Sequence, residues 1–303
     1  MRTFRALVIA ITMLAAVMAA ASAQTSSGNA LPEALKDIKP TSGMCWRDDV
    51  AQVAKGSSVP AQERDPDLSC AIAPADLEAL QARAEAMLID VRPMTEHQSF
   101  RINGALNMTV TELRTKSVLR TKPLILVGNG KAERELYVAC ADLKARGFTQ
   151  VKVLRGGMPS WLAKGGAVQG RAPEVLQGMR LNSSELWGES QFDANLVLLT
   201  AEQRALQGRL PFAVVVADAS PAAVKSVIDR RRKELKNAPL AAVILVTAAS
   251  ASDESLKRLS QALQPVPLLV YTESADTYAR QIAQLAASWE ARAKGPKRLR
   301  CGL

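Results

Sequence analysis

Met87-Leu88-Ile89-Asp90-Val91-Arg92 opens the stretch that decides the fold, which runs on to Trp161. A second apolar run, Pro123-Leu124-Ile125-Leu126-Val127, leads straight into Gly128-Asn129-Gly130-Lys131. A third, residues 151–154, precedes Gly156-Gly157-Met158-Pro159-Ser160-Trp161. Short continuous apolar runs of this kind are what a buried parallel sheet requires. Between the second and third runs, residues 133–146 carry Leu136, Ala139, Cys140 and Leu143 on one helical face, and Gly147 ends the helix. Residues 74–87 place Leu77, Leu80, Ala84 and Met87 near helical spacing, with Asp76 early, where acids favour a helix start. Alternating strands and helices predict an α/β layer fold.

The order of Asp90-Val91-Arg92, Glu96, Arg101-Ile102-Asn103-Gly104-Ala105, a strand feeding a loop, and then Gly156-Gly157 and Trp161 resembles the rhodanese (sulfurtransferase) domain over residues 70–165. The resemblance implies a parallel-sheet, three-layer α/β domain. It also implies that Asp90, Arg92, Glu96, Gly104, Gly156, Gly157 and Trp161 are structural, with Asp90, Arg92 and Glu96 forming charge pairs at a strand end. An active member of the family would end its second strand in a nucleophilic cysteine carrying a persulfide. Here that position reads Gly128.

That chemistry needs a thiolate, inward-pointing backbone N–H groups and a helix N-terminus to lower the thiol pKa. Gly128, Asn129, Gly130, Lys131 and Ala132 keep a backbone cradle and one cation, but no Cys, Ser or Thr. No residue is therefore assigned as catalytic, and the loop reads as a vestigial active site. It either binds a small anion or a partner's acidic side chain, or survives for folding alone. Cys140 reads as a small buried hydrophobe on its helix. His97, beside Glu96, reads as exposed and without a role.

Beyond a linker at residues 166–178, the same order of elements recurs over residues 179–293. Leu196-Val197-Leu198-Leu199 corresponds to Leu88-Ile89-Asp90-Val91, and residues 209–213 to residues 101–105. Residues 243–246 parallel 124–127, placing Thr247 opposite Gly128, and residues 268–271 parallel 151–154, with Tyr278 where Trp161 stands. This predicts a second, degenerate rhodanese-like domain. An unrelated βα-repeat domain, flavodoxin-like or thioredoxin-like, is the alternative, because the Asp-x-Arg, Ile-x-Gly-Ala and Gly-Gly markers are gone. Arg230-Arg231-Arg232-Lys233 reads as a solvated helical face.

Residues 1–23 combine Arg2 and Arg5, an apolar run at 6–21, and Ala21-Ser22-Ala23, the layout of a secretory signal peptide; an uncleaved membrane anchor is the alternative. No other segment approaches a membrane span, so a secreted protein is expected, with a bacterial periplasm as its compartment. Losing Arg2 and Arg5 lowers the formal charge from +10 to +8. Aromatics are 4% of the chain and no basic run alternates with stacking residues, which argues against nucleic acid.

Residues 24–69 form an irregular lead and residues 294–303 a basic tail. Four cysteines in an oxidising compartment are disulfide partners first. The favoured pairing is Cys45–Cys70, with Cys301 as the rival partner of either. No Cys-x-x-Cys pair occurs and there is one His, so no metal and no cofactor is expected. The function that follows is a non-enzymatic binding or scaffold module with a protein partner in the envelope. The alternatives are a sulfurtransferase or thiol-handling enzyme using Cys140 or Cys301, and an anion sensor built on the vacant loop.

Overall fold

Each apolar run becomes a buried strand, and these strands assemble into two parallel sheets. The computed structural model describes residues 64–293 apart from Ala84, Pro211 and Asn237. The expected signal peptide, the lead up to residue 63 with Cys45, and the tail with Cys301 lie outside the described residues. All described residues fall within one compact unit, Val59–Leu299.

The first half runs β1 (Ala71–Ile72), α1 (Pro74–Ala82), β2 (Met87–Asp90), α2 (Met94–Ser99), β3 (Phe100–Ile102), β4 (Leu106–Asn107), α3 (Val110–Thr115), β5 (Leu124–Val127), α4 (Glu133–Ala145), β6 (Val151–Leu154), α5 (Gly157–Ala163) and β7 (Val168–Gly170). Helix α1 stops short of the expected residue 87 because Met87 joins β2 opposite Leu124. The main sheet has the order β1-β6-β5-β2-β4, and every pairing in it is parallel.

Side chains alternate across the sheet. Leu124 and Leu126 face Leu113 of α3 and Tyr137, Cys140 and Leu143 of α4. Ile125 and Val127 face Leu77 of α1 and Met158 and Trp161 of α5. That gives three layers.

The second half runs α6 (Val175–Met179), α7 (Ser183–Ser190), β8 (Leu196–Leu199), β9 (Val214–Val215), α8 (Pro221–Glu234), β10 (Val243–Val246), α9 (Asp253–Leu263), β11 (Leu268–Tyr271) and α10 (Ala275–Ala293). Its sheet has the order β11-β10-β8-β9, again all parallel. This repeats β6-β5-β2-β4. A parallel bridge between Arg180 and Val270 occupies the edge place that β1 takes beside β6. The ladders also correct the expected alignment by one residue. Leu196 pairs with Val243 as Met87 pairs with Leu124, so Leu199, not Leu198, stands at the position of Asp90.

Two further expectations change. The supposed linker at 166–178 contains β7, paired antiparallel with β3, and most of α6, whose Leu176 and Met179 enter the second sheet's core. Cys70 is bonded to Cys140, which replaces the Cys45–Cys70 pairing and makes Cys140 a disulfide partner rather than an unbonded hydrophobe. The cause is packing. Helix α4 lies against the turn Leu68–Cys70, and its core-facing side chain at residue 140 meets Cys70, with both residues fully buried.

The two halves also share apolar surface. Phe192 and Ala241 pack into the α4 side of the first sheet, and the Phe192 and Tyr137 rings stand 6.5 Å apart.

Candidate functional site

Strand β5 delivers the loop Gly128–Ala132 to the C-terminal edge of the first sheet, where open α/β sheets place ligands. Gly130 has φ +80°, and Gly157, at φ +50°, packs directly on the loop. A Cβ on Gly157 would come within 2.4 Å of Gly128 O and Gly130 N. The Gly156-Gly157 turn is thus a close-approach device, and Met158 N donates to Gly128 O at 2.9 Å. Ala132 adopts the left-handed conformation, φ 52°, and turns the chain into α4.

At Gly128 a side chain would meet the tip of Leu136. A Cβ there would lie 2.7 Å from Leu136 Cδ1, one turn into α4. The donors of Lys131 and Ala132 are engaged. Lys131 N donates to Asn129 Oδ1 at 3.0 Å, and Lys131 Nζ donates to Glu185 Oε1 and Oε2 at 2.9 and 3.0 Å. Ala132 N donates to Glu189 Oε1. Both acids come from α7, so the chain's own carboxylates hold these donors of the loop.

Glu189 is buried, and Asn195 Nδ2 holds its other oxygen at 2.9 Å. Burial pushes its carboxyl above the ordinary value, and the bonds from Ala132 and Asn195 oppose that only in part. Glu133, the first residue of α4, is buried beneath the loop and accepts from Tyr137 Oη at 3.2 Å. Burial raises its carboxyl to about 8, and the nearby charge of Glu189 adds to the effect.

The Asp-x-Arg motif forms a buried clamp beside the loop. Arg92 Nε and Nη2 donate to Asp90 Oδ1 and Oδ2 at 2.9 and 2.7 Å, and Nη2 also donates to Phe100 O at 2.7 Å. The guanidinium stands 4.7 Å from the centre of the Phe100 ring. Glu96 lies 4.0 Å from Arg92 Nη1, the outer member of the expected charge pairs. Burial raises the Asp90 carboxyl, but the bonds from Arg92 and His97 outweigh it and hold the group below its ordinary value.

His97 corrects the expectation of an exposed, idle side chain. Its Nδ1 lies 2.8 Å from Asp90 Oδ2, and its side chain is 12% exposed. An ionised carboxylate can only accept, so Nδ1 carries the proton. Helix α2 turns His97 inward toward the strand end, a fold-back that neighbouring residues do not reveal.

Trp161 Nε1 donates to Ala167 O at 3.0 Å, and Gly166 leaves room for the ring. Gly104 takes φ +75° in the turn before β4. A cleft of about 280 Å³ opens beside the loop, lined by Glu96, Phe100, Lys131, Met158, Glu174 and Glu185 among others. Among the described residues no cluster of His, Cys, Asp or Glu is placed to hold a metal ion. No helix among them is long and apolar enough to cross a membrane.

The model of the rhodanese-like domain family matches residues 73–164. Residues 73–164 form a rhodanese-like domain. The loop Gly128–Ala132, the Asp90–Arg92 clamp, the Gly156-Gly157 turn and Trp161 all fall inside this rhodanese-like domain.

Solved structures similar to the chain include the rhodanese-like domain of an Anabaena sp. protein. It is 23% identical, with 36% of this chain and 81% of that one covered and a TM-score of 0.30. A rhodanese-related protein from Thermoplasma volcanium is 26% identical, with 33% and 98% covered and a TM-score of 0.29. A thiosulfate sulfurtransferase from Pseudomonas aeruginosa is 19% identical, with 70% and 42% covered and a TM-score of 0.30. Comparison with curated proteins gives no match.

Sequence reasoning missed Glu133, Glu185 and Glu189. The one available signal was weak: Glu185 and Glu189 stand four residues apart, on one face of a helix. Nothing in that spacing names the loop they cover.

Proposed function

We propose that this chain is an exported, catalytically silent rhodanese-like protein that serves as a binding or scaffold module for a protein partner in the cell envelope. The observation that carries the reading is Gly128. It stands at the end of β5, where the family resemblance calls for a nucleophile, and a glycine has no side chain to act as one.

The bonded pair Cys70–Cys140 adds support in two ways. It withdraws Cys140 as a sulfur carrier, since a disulfide sulfur has no thiolate to donate. It also suits an oxidising compartment, as does the signal-like layout of residues 1–23. A bacterial periplasm fits both features. The repeated strand order of the second sheet supports a tandem arrangement in which Thr247, which follows β10 as Gly128 follows β5, likewise offers no sulfur carrier.

The test is a thiosulfate:cyanide sulfurtransferase assay on the purified protein, with Cys45→Ser and Cys301→Ser variants alongside. No turnover above background is expected. Turnover that disappears in either variant would overturn the reading and name the sulfur carrier.

A further inference from the structure

Helix α7 presents Glu185 and Glu189 from one face, since residues four apart in a helix stack above one another. That face lies over the loop Gly128–Ala132. Glu185 is fixed from two sides, because Oε2 also accepts the N–H of Asn182, the helix's N-cap residue, at 2.8 Å. Glu189 is 7% exposed, and the Asn195 amide that holds its Oε2 also donates to the Glu189 carbonyl at 3.0 Å. Both carboxylates are therefore preset before they meet the loop. What they meet is the loop's ammonium, Lys131, and an N–H at the entry to the thirteen-residue helix α4. Unpaired N–H groups and the positive end of the helix dipole make such an entry a place for negative charge.

We propose that Glu185 and Glu189 set the specificity of this loop: they are its ligands in cis, and by holding Lys131 Nζ and Ala132 N–H they exclude small external oxyanions. The inference deepens the reading of a silent loop and rests on it in one respect, that no persulfide competes for the same donors. An incoming anion would have to displace two carboxylates that packing and hydrogen bonds hold in place. It would also meet their charge at close range, where like charges repel strongly once water is excluded. The raised carboxyl of Glu189 fits a group kept in a poorly hydrated place by its partners. The outcome is a loop that joins the second half to the first instead of admitting a substrate.

The experiment is a calorimetric titration of the full chain with sodium thiosulfate at constant ionic strength, comparing wild type with a Glu185→Gln, Glu189→Gln double variant. The double variant is expected to bind thiosulfate about tenfold or more tightly than wild type. Adding Lys131→Ala to it should remove the gain. If the double variant does not fold, as judged by circular dichroism, the single variants Glu185→Gln and Glu189→Gln take its place, each expected to give a smaller gain of the same sign. Equal binding by wild type and the folded variant would overturn the proposal, as would no binding by either. Sulfur transfer is not measured in this titration, so an active wild type would sink the silent-domain reading while the titration still gave its own answer.

Discussion

Cys70, at the end of the turn before β1, is bonded to Cys140 in the middle of α4, across a sequence separation of 70 residues. The bond ties the lead-in of the first half to the helix that follows the Gly128–Ala132 loop. In the chain-entropy description, cross-linking residues this far apart restricts the unfolded chain enough to stabilise the fold by about 4 kcal/mol. A Cys70→Ser, Cys140→Ser double variant should therefore unfold at lower urea concentration, with a loss approaching that size. Peptide mapping of the unreduced protein should recover residues 70 and 140 in one cross-linked pair. Recovery of a peptide joining Cys45 to Cys70 would refute the pairing.

Among the described residues, Asp90 is the carboxylate that faces the buried Arg92 guanidinium bidentately. Replacing it by Asn leaves Arg92 buried and short of its counter-charge, a change that typically costs about 3–5 kcal/mol. The pH dependence has a definite sign. Because the folded carboxyl lies below its ordinary value of 3.8, its contribution is present above that pH and is lost as pH falls below it. Asp90→Asn should flatten the acid limb of a stability-against-pH curve measured by urea unfolding.

Glu133 works in the opposite direction. Its carboxyl rises from 4.5 to about 8 in the folded protein, so folding disfavours its ionised form. The contribution is whole below about pH 4.5 and is lost progressively as pH rises toward 8. Glu133→Gln removes that dependence. At pH 8 the variant should be more stable than wild type by about 2 kcal/mol or more, since each tenfold difference in proton affinity between the folded and unfolded chains is worth about 1.4 kcal/mol. Parallel curves for the two proteins between pH 5 and pH 8 would contradict a buried, proton-holding Glu133.

Gly157 and Gly104 separate two reasons for a glycine. Both have positive φ, but a Cβ on Gly157 would strike backbone atoms of Gly128 and Gly130, whereas one on Gly104 would meet nothing within 4 Å. Gly104→Ala should cost about 1 kcal/mol, the conformational penalty alone. Gly157→Ala should cost at least about 3 kcal/mol, because neither backbone can give way without moving the loop. Thermal unfolding of the two variants provides the comparison, and equal costs would mean that the turn and the loop are not in contact.

The first half was legible residue by residue. The runs at Leu88, Leu124 and Val151 are short and largely apolar, as a buried parallel strand requires, and Asp90, Arg92 and Glu96 meet as the family resemblance implied. The second half was legible as an order of elements but not in its register. Its strand Leu196-Val197-Leu198-Leu199 is apolar throughout, so sliding it by one residue leaves the pattern unchanged, and only the hydrogen-bonded ladder to Val243 sets the phase. A linker containing Gly and Pro hid β7, because a three-residue strand exists only once β3 offers it a partner.

By itself the sequence determined the α/β class, the strand positions, the absence of Cys at residue 128 and the surviving Asp90, Arg92 and Gly157 motifs. Those are local properties, set by which side chains follow one another. Tertiary structure alone decided that Cys70 finds Cys140, that His97 turns in to Asp90, and that Glu185 and Glu189 reach the loop from more than fifty residues away. Contacts at that separation depend on how helices α4 and α7 pack across two sheets. Spacing along the chain carries no record of that packing, since a carboxylate on a helix face reads the same whether it meets water or a loop of a neighbouring sheet.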